Sequence, residues 1–237
     1  MVVTLANPAN LFALIVLFII TSSPAFPEAS KIINQINEFG GRTIMFTYSP
    51  GEEEYIKGKS KVIAYYDSNR KVVKEERFYS DESTRKDEIS KVIVYFHSNG
   101  KKEITETFYT AESTKNNGVV KGIKYYDNDE KVTKLGAFYT DEFAQKDGVA
   151  RFMVYYGNNG MVVKTESFRT QGSARKQGVE KTIVHYNKEG KDVKAEYFYT
   201  YESARKDGIA KFIAYYDSNG RMVKAELYNK NGALLIK

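Results

Sequence analysis

The chain has 237 residues, of which 42% are hydrophobic and 28% are charged, a composition typical of a folded protein and not of a disordered one. Cysteine is absent, which excludes disulfides, thiolate metal sites, a cysteine nucleophile and a lipoprotein anchor. The formal net charge is +6, a mild excess that favours contact with anionic surfaces without identifying one.

The first predicted element is the apolar run Leu11–Ile20. It is too short to span about 30 Å of hydrocarbon as a helix, but it matches the core of a secretory signal peptide. The small residues Ser23 and Ala25 place cleavage after Ala25, so residues 1–25 are predicted to be the signal peptide of a periplasmic or secreted chain. No Lys or Arg precedes the run, which leaves an uncleaved anchor over Val2–Ile20 and a buried element of the fold as alternatives.

Residues 26–45 are predicted to form a linker with a short capping helix. Ile32, Ile33, Ile36 and Phe39 recur at helical spacing, and Gly40 ends the pattern. A helix at this point would cover the first unit of a repeat array, as terminal units usually require.

A 30-residue repeat fills the remaining residues, 46–237. Aromatic residues mark its period at Phe78, Phe108, Phe138, Phe168, Phe198 and Tyr228. In the last full unit, strand-forming Lys211–Tyr216 is followed by a tight turn at Asp217–Gly220 and a return strand at Met222–Tyr228. Each unit is therefore predicted to be a β-hairpin. Since one hairpin is marginal alone, the units are predicted to form an all-β, elongated antiparallel meander.

The connection between hairpins leaves two alternatives open. It begins at a Ser or Thr, as at Thr200, and closes with a Gly, as at Gly208, although Glu88 replaces the Gly in one unit. One capped helical turn fits this pattern, and an irregular loop fits it as well.

Alternation along the first strand of each unit predicts ladders on both faces of the sheet. One face carries the apolar Ile63 and then Tyr65, together with their equivalents in the other units. The opposite face carries the aromatic series Tyr66, Phe96, Tyr126, Tyr156, Tyr186 and Tyr216. The aromatic side chains of neighbouring units are expected to stack along both faces.

The segment Lys206–Tyr228 resembles the bacterial variant of the MORN repeat, in which a Gly precedes a Tyr-Tyr pair, a second Gly, a Lys/Glu-rich strand and an aromatic residue. Lys146–Phe168 and Lys176–Phe198 show the same pattern, and the resemblance extends from Tyr55 to the C-terminus. The unit is longer than the usual MORN spacing, and Trp, frequent in that family, is absent. The resemblance implies an elongated antiparallel sheet that contacts proteins or membranes. It also implies an antitoxin label of the YwqK type for some bacterial members, and no catalytic residues.

The patterns that are typical of metal sites and hydrolases are explained by the repeat. Asp127–Glu130 and Asp217–Gly220 lie at predicted hairpin turns and lack the ligand series of an EF-hand. His185 occupies a position that is Tyr in other units, and His97 occupies a turn position, so neither is predicted to act in acid–base chemistry. The chain is predicted to use no cofactor and no metal, and not to be an enzyme.

The predicted binding surface combines recurring tyrosines and lysines, namely Tyr66, Tyr126, Tyr156, Tyr186, Tyr216, Lys164, Lys194 and Lys224. Such a surface predicts an unknown protein partner and a scaffolding role. A lysine stripe also fits an envelope polysaccharide or an anionic membrane surface, and an antitoxin or immunity partner is a third hypothesis. Nucleic acid is not expected for an exported chain. Alternatively, lysines paired with Glu76, Glu166, Glu196 and Glu226 form an ordinary solvated face.

Overall fold

The computed structural model describes residues 30–34 and 36–236. Within these residues, fifteen strands form one antiparallel sheet in which each strand pairs with its neighbours in sequence. The predicted all-β meander of tandem hairpins is therefore confirmed. The predicted signal peptide lies outside the described residues. No helix in the described ranges is long and apolar enough to cross a membrane.

The strands follow one another along the chain as β1 (Ser30–Asn34), β2 (Gly40–Thr47), β3 (Lys59–Asp67), β4 (Val72–Tyr79), β5 (Ile89–Phe96), β6 (Lys102–Tyr109), β7 (Val119–Tyr126), β8 (Val132–Tyr139), β9 (Val149–Tyr156), β10 (Val162–Arg169), β11 (Val179–Tyr186), β12 (Asp192–Tyr199), β13 (Lys211–Tyr216), β14 (Met222–Tyr228) and β15 (Leu234–Ile236). Short helices lie between the hairpins: α1 (Glu53–Ile56), α2 (Asp81–Asp87), α3 (Ala111–Asn117), α4 (Asp141–Asp147), α5 (Gln171–Gln177) and α6 (Tyr201–Asp207). The hairpins from β3–β4 to β13–β14 are called units 1 to 6.

The prediction of a capping helix within residues 26–45 is wrong, because the chain forms strand β1 there and turns back into β2. Ile32 pairs with Ile44 across this first hairpin. Isoleucine favours strands because it is β-branched, and a short apolar run satisfies helical and strand periodicity alike. Within the described residues the sheet therefore already includes Ser30–Asn34, ahead of the predicted boundary at residue 46, and β1 covers the edge of β2 by strand pairing.

Each hairpin closes with a turn that uses one residue at a positive φ angle. In unit 6 the Asp217 amide donates to the Arg221 carbonyl, and the Gly220 amide donates back to the Asp217 carbonyl. The Asp217 carboxylate accepts hydrogen bonds from the amides of Asn219 and Arg221. In this turn Gly220 alone adopts the left-handed conformation, with φ 77°, and in units 1 and 3 a residue other than glycine adopts it.

From α2 onward, the connection between hairpins is a seven-residue helix. The structure therefore has the capped helical turn and not the irregular loop. In α5 the Thr170 hydroxyl accepts a hydrogen bond from the Ser173 amide at 3.2 Å, and Gly178 ends the helix at φ 71°. The Thr170 amide also donates to the carbonyl of Gly148, which ends α4. The same bond joins each adjoining pair of helices, so the helices form a linked row along one edge of the sheet.

Gly148 lies where this row leaves no room for a side chain. Its φ angle is +74°, and a Cβ atom there would come within 2.5 Å of the Ser173 hydroxyl oxygen. Glu88 takes the same conformation at the end of α2. Its carboxylate accepts a hydrogen bond from the Ser113 hydroxyl at 2.7 Å, which offsets part of the strain in that unit.

We expect Gly148→Ala to lower the free energy of unfolding by about 1–2 kcal/mol, because alanine is strained at positive φ and its Cβ collides with Ser173. Urea unfolding followed by circular dichroism measures the loss. Gly172→Ala is the matched control, since a Cβ at Gly172 has nothing within 4 Å and alanine favours a helix. An equal loss in both variants would contradict this explanation of Gly148.

Candidate functional site

The sheet has two faces that differ in chemistry. Face A carries Ile63, Tyr65 and the return-strand residues that lie opposite them, together with their equivalents in the other units. Face B carries Val62, Ala64 and Tyr66, which pack together, and their equivalents. Every strand of the described residues belongs to this sheet and the helices lie along its edge, so no second layer covers either face in the described part of the chain.

The predicted binding surface is divided between these two faces. Lys164 lies opposite Tyr155 and His185 on the neighbouring strands, which places it on face A. Tyr156 follows Tyr155 in the strand and therefore lies on face B. The predicted tyrosines are all on face B: Tyr66, Tyr126, Tyr156, Tyr186 and Tyr216. The predicted lysines are all on face A: Lys164, Lys194 and Lys224. The prediction that the two sets form one surface is therefore wrong.

Three rows of side chains cross face A from strand to strand. The first row alternates cations with Phe rings, as where the Arg151 guanidinium lies 3.8 Å from the Phe168 ring centre. The middle row alternates Ile or Met with Glu, and the third alternates Tyr or His with Lys, except that Ile104 takes the lysine position in unit 2. The expectation that rings stack directly on one another on this face is wrong, because a strand that carries cations lies between successive rings.

The glutamates of the middle row are held by lysines of the neighbouring rows. Glu196 is only 7% exposed, although no second layer of the described chain covers it. It pairs with Lys194 at 2.8 Å and with Lys211 of the next strand at 2.5 Å. The lysine stems and nearby rings cover the carboxylate while the ammonium groups neutralise it.

His185 takes the place of a tyrosine in this lattice of charged groups, as its position in the repeat predicts. Its Nε2 atom lies 3.0 Å from a Glu196 oxygen. In unit 6 the equivalent Tyr215 hydroxyl donates to Glu226, also at 3.0 Å. The interpretation of His185 as an aromatic substitute is therefore confirmed.

The lattice keeps the Glu196 carboxylate ionised. Burial alone would raise the pKa of Glu196, but the hydrogen bonds from its two lysines and from His185 outweigh burial and lower this pKa to about 2. The same pairing extends to the other predicted binding lysines, which confirms the alternative in which Lys164, Lys194 and Lys224 pair with Glu166, Glu196 and Glu226. These lysines are therefore engaged within face A.

Cations nevertheless outnumber carboxylates on face A. From β3 to β14 the row with Phe contributes six cations and the row with Tyr contributes five, against five glutamates in the middle row, an excess of six. The excess on this one face is as large as the net charge of the whole chain, +6.

Unit 3 is the exception in the middle row. Gly136 occupies the glutamate position, between Ile123 and Met153 on the adjoining strands. The Met153 Sδ atom lies 2.7 Å from where a Cβ of residue 136 would stand, so the methionine fills this space. Lys134 and Arg151 occupy the two positions whose cations hold the carboxylate in units 1, 4 and 5. Neither of them has a carboxylate partner among the described residues.

Face B of unit 3 also departs from the repeat. Thr107, Gly122 and Ala137 are small neighbours on successive strands, and the Tyr109 hydroxyl lies 3.3 Å from the Cβ position of Gly122. These residues line a hollow of about 320 Å³. Lys124 borders the hollow and is exposed, at a position that is Ala or Val in every other unit.

The turn carboxylates that resemble calcium ligands serve the hairpin turns. Asp127 accepts hydrogen bonds from the amides of Asp129 and Lys131, both at 2.9 Å. Across residues 30–34 and 36–236, no three His, Asp or Glu side chains are grouped so that they could hold a metal ion.

This fold and its charged rows define a tandem β-hairpin repeat protein. No family model and no curated protein matches the chain. Among solved structures, a mutant of S. aureus TarM in complex with fondaparinux, alpha-GlcNAc-glycerol and UDP matches 64% of this chain with 17% identity and a TM-score of 0.26. TcdB2-TccC3-TEV matches 93% with 11% identity and a TM-score of 0.17. The chain spans only 21% and 14% of those two chains.

We expect Glu196→Gln to lower the free energy of unfolding by roughly 2–3 kcal/mol at neutral pH, because two lysines then lack a carboxylate. The pKa of Glu196 in the folded chain, about 2, lies below its usual value of 4.5. The wild-type advantage is therefore fully present above pH 4.5 and is lost as the pH falls to about 2. Urea unfolding at a series of pH values measures this dependence.

The matched control is Glu180→Gln, because Glu180 is exposed in the same unit. Its substitution should change the free energy of unfolding by less than about 0.5 kcal/mol at any pH. If the Glu196→Gln difference did not vary with pH, the ion pairs would not be its cause.

Proposed function

We propose that the chain is a non-catalytic binding scaffold that presents one face of its sheet to a partner protein. This proposal depends on one observation, namely that no second layer covers either face of the sheet within the described residues. Most domains bury a sheet against another layer, whereas this sheet leaves both faces open and lines them with regular rows of side chains.

The size of each face supports a protein interface. Fifteen strands spaced about 4.8 Å apart give a length of roughly 67 Å, and strands of about eight residues give a width of roughly 26 Å. Each face therefore offers roughly 1,700 Å², about twice what each partner contributes to an interface of standard size.

The state of the titratable groups supports binding over catalysis. The buried carboxylates Glu166, Glu196 and Glu226 are each held by a lysine. The histidine of the same lattice, His185, is also bound to Glu196. A general acid or base needs a proton site within reach of a substrate, and these groups are engaged with one another instead.

Export and the MORN-like assignment belong to the same proposal. The signal-peptide pattern supports a periplasmic or secreted chain. N-terminal sequencing tests this, since a chain that begins at Phe26 is expected and one that begins at Met1 contradicts cleavage. The Tyr-Tyr and Gly pattern supports a MORN-like repeat, including the antitoxin role of YwqK-type members, and the tandem hairpins agree with it.

Tyr155 and Tyr156 provide a matched pair for finding the binding face, because they are adjacent in the chain and lie on opposite faces. With p-benzoylphenylalanine at either position, we expect photocrosslinking in intact cells to join the chain to one protein species from one face only. Tyr201, 76% exposed on α6, is the control position. Equal cross-linking from all three positions, or from none, would contradict the scaffold function.

The charge of face A favours a second candidate function, the binding of an anionic polysaccharide or an anionic membrane surface. The cations of this face exceed its glutamates by six. An array of one sign attracts a polyanion along its whole length.

We expect the chain to bind polygalacturonate at low ionic strength and to release it at roughly 1 M salt, where the Debye length falls to about 3 Å. Vesicles that contain phosphatidylserine test the membrane surface, and phosphatidylcholine vesicles are the neutral control. Binding that persists in high salt, or that is equal for neutral vesicles, would rule out a charge-based role for face A.

A further inference from the structure

The lattice of face A shows how this sheet holds a glutamate side chain. In unit 1, Glu76 pairs with Lys74 of its own strand at 3.0 Å and with Lys91 of the next strand at 3.7 Å. The Tyr65 hydroxyl donates to the same carboxylate at 3.1 Å. Three groups thus define the position of the carboxylate. The middle row holds a glutamate in five of the six units: Glu76, Glu106, Glu166, Glu196 and Glu226. In units 1, 4 and 5 two cations hold it, one from its own strand and one from the next strand.

Unit 3 keeps the three groups and lacks the glutamate. Tyr125, Lys134 and Arg151 occupy the positions of the tyrosine and the two cations, and Gly136 occupies the position of the glutamate. The Lys134 ammonium lies 4.6 Å from the Tyr125 ring centre. All three side chains are partly exposed, so a group from outside the chain reaches them.

The packing around Gly136 is adjusted to the glycine, but the charge around it is not. Met153 stands where other units have Ile, and its Sδ and Cε atoms lie beside Gly136, which closes the apolar part of the row. Lys134 and Arg151 remain cationic without a carboxylate between them. Two like charges at such positions repel each other, and a carboxylate placed between them removes the repulsion.

We propose that Tyr125, Lys134 and Arg151 form a recognition site for the carboxylate of a glutamate side chain that a partner protein supplies. Units 1, 4 and 5 identify the occupant, because equivalent groups hold a glutamate side chain there. Arg151 is the one arginine at a position that is Lys in the other five units, and its planar guanidinium binds a carboxylate through two parallel hydrogen bonds. This site rests on the proposed scaffold function and assigns the contact to face A.

Chemical shifts of the full-length, isotope-labelled chain test this site with the capped peptide Gly-Glu-Gly as the probe. We expect the peptide to shift the resonances of Tyr125, Lys134 and Arg151, and the uncharged peptide Gly-Gln-Gly to leave them unchanged. Arg151→Met should weaken binding by about tenfold, because it removes a charge-assisted pair of hydrogen bonds. Lys124→Val removes a cation from face B of the same unit and should leave the affinity unchanged.

The double variant Gly136→Glu with Met153→Ile gives unit 3 the glutamate and unit 4 the isoleucine that the other units have at these positions. Its own carboxylate then occupies the site, so we expect the peptide to cause no shift while resistance to urea is maintained. A second variant, Tyr125→Phe, removes only a hydroxyl group and tests the site if the double variant does not fold. Tyr125→Phe should weaken binding by about threefold.

An affinity for the peptide that Arg151→Met or Tyr125→Phe leaves unchanged would overturn the site, and so would a peptide shift that persists in the folded double variant. Tighter binding of glucuronate than of the Glu peptide would overturn the assignment to a protein partner. Cross-linking from Tyr155 without a peptide shift would remove the site and leave the scaffold function intact. Resonance shifts caused by the peptide, without face-specific cross-linking, would support the site and contradict the scaffold function.

Discussion

Burial within a single layer is the constraint on which this structure depends. Since no second layer covers the described sheet, a residue in the middle of a strand is shielded only by side chains of the neighbouring rows. Long side chains meet this need, because the stems of Lys194 and Lys211 lie along the sheet while their ammonium groups bind Glu196. Ile213, opposite that glutamate, is only 4% exposed. The abundant Lys, Tyr and Phe residues therefore provide burial as well as surface chemistry.

Neighbouring units are joined at three places across the width of the sheet. Strands pair in the middle. At one edge the backbone amide of each N-cap residue donates to the carbonyl that ends the preceding helix, as Thr170 does to Gly148. At the other edge the Lys191 ammonium donates to the Ser218 carbonyl in the next turn at 3.0 Å. Such contacts connect only adjacent units, as in other repeat proteins. They keep the rows of both faces in register, so a partner meets a regular surface.

Local patterns in the sequence predict the hairpins, since the period of Phe78 and the turn at Asn219–Gly220 need no knowledge of distant contacts. The sequence predicts the faces of the first strand but not which return-strand residues share them, because a bulge between Val162 and Lys164 shifts the register by one residue. Without it, Lys164 would lie opposite Val154 on face B, beside the tyrosines with which the sequence groups it. The helix predicted within residues 26–45 fails for a related reason, since its isoleucines suit either period until strand pairing decides.

The departures of unit 3 indicate why the middle row lacks a glutamate in one unit. A glycine inside a strand costs roughly 0.5–1 kcal/mol relative to alanine, and Gly136 also gives up the ion pairs that a glutamate makes in the other units. Met153 restores the packing at Gly136, but no described residue restores the charge balance around Lys134 and Arg151. If stability were the only requirement, a glutamate at this position would meet it, as it does five times elsewhere. A chain that breaks its own rule without a compensating gain is expected to do so at a functional contact. Unit 3 lies near the middle of the strand order, where units on both sides hold these groups in place.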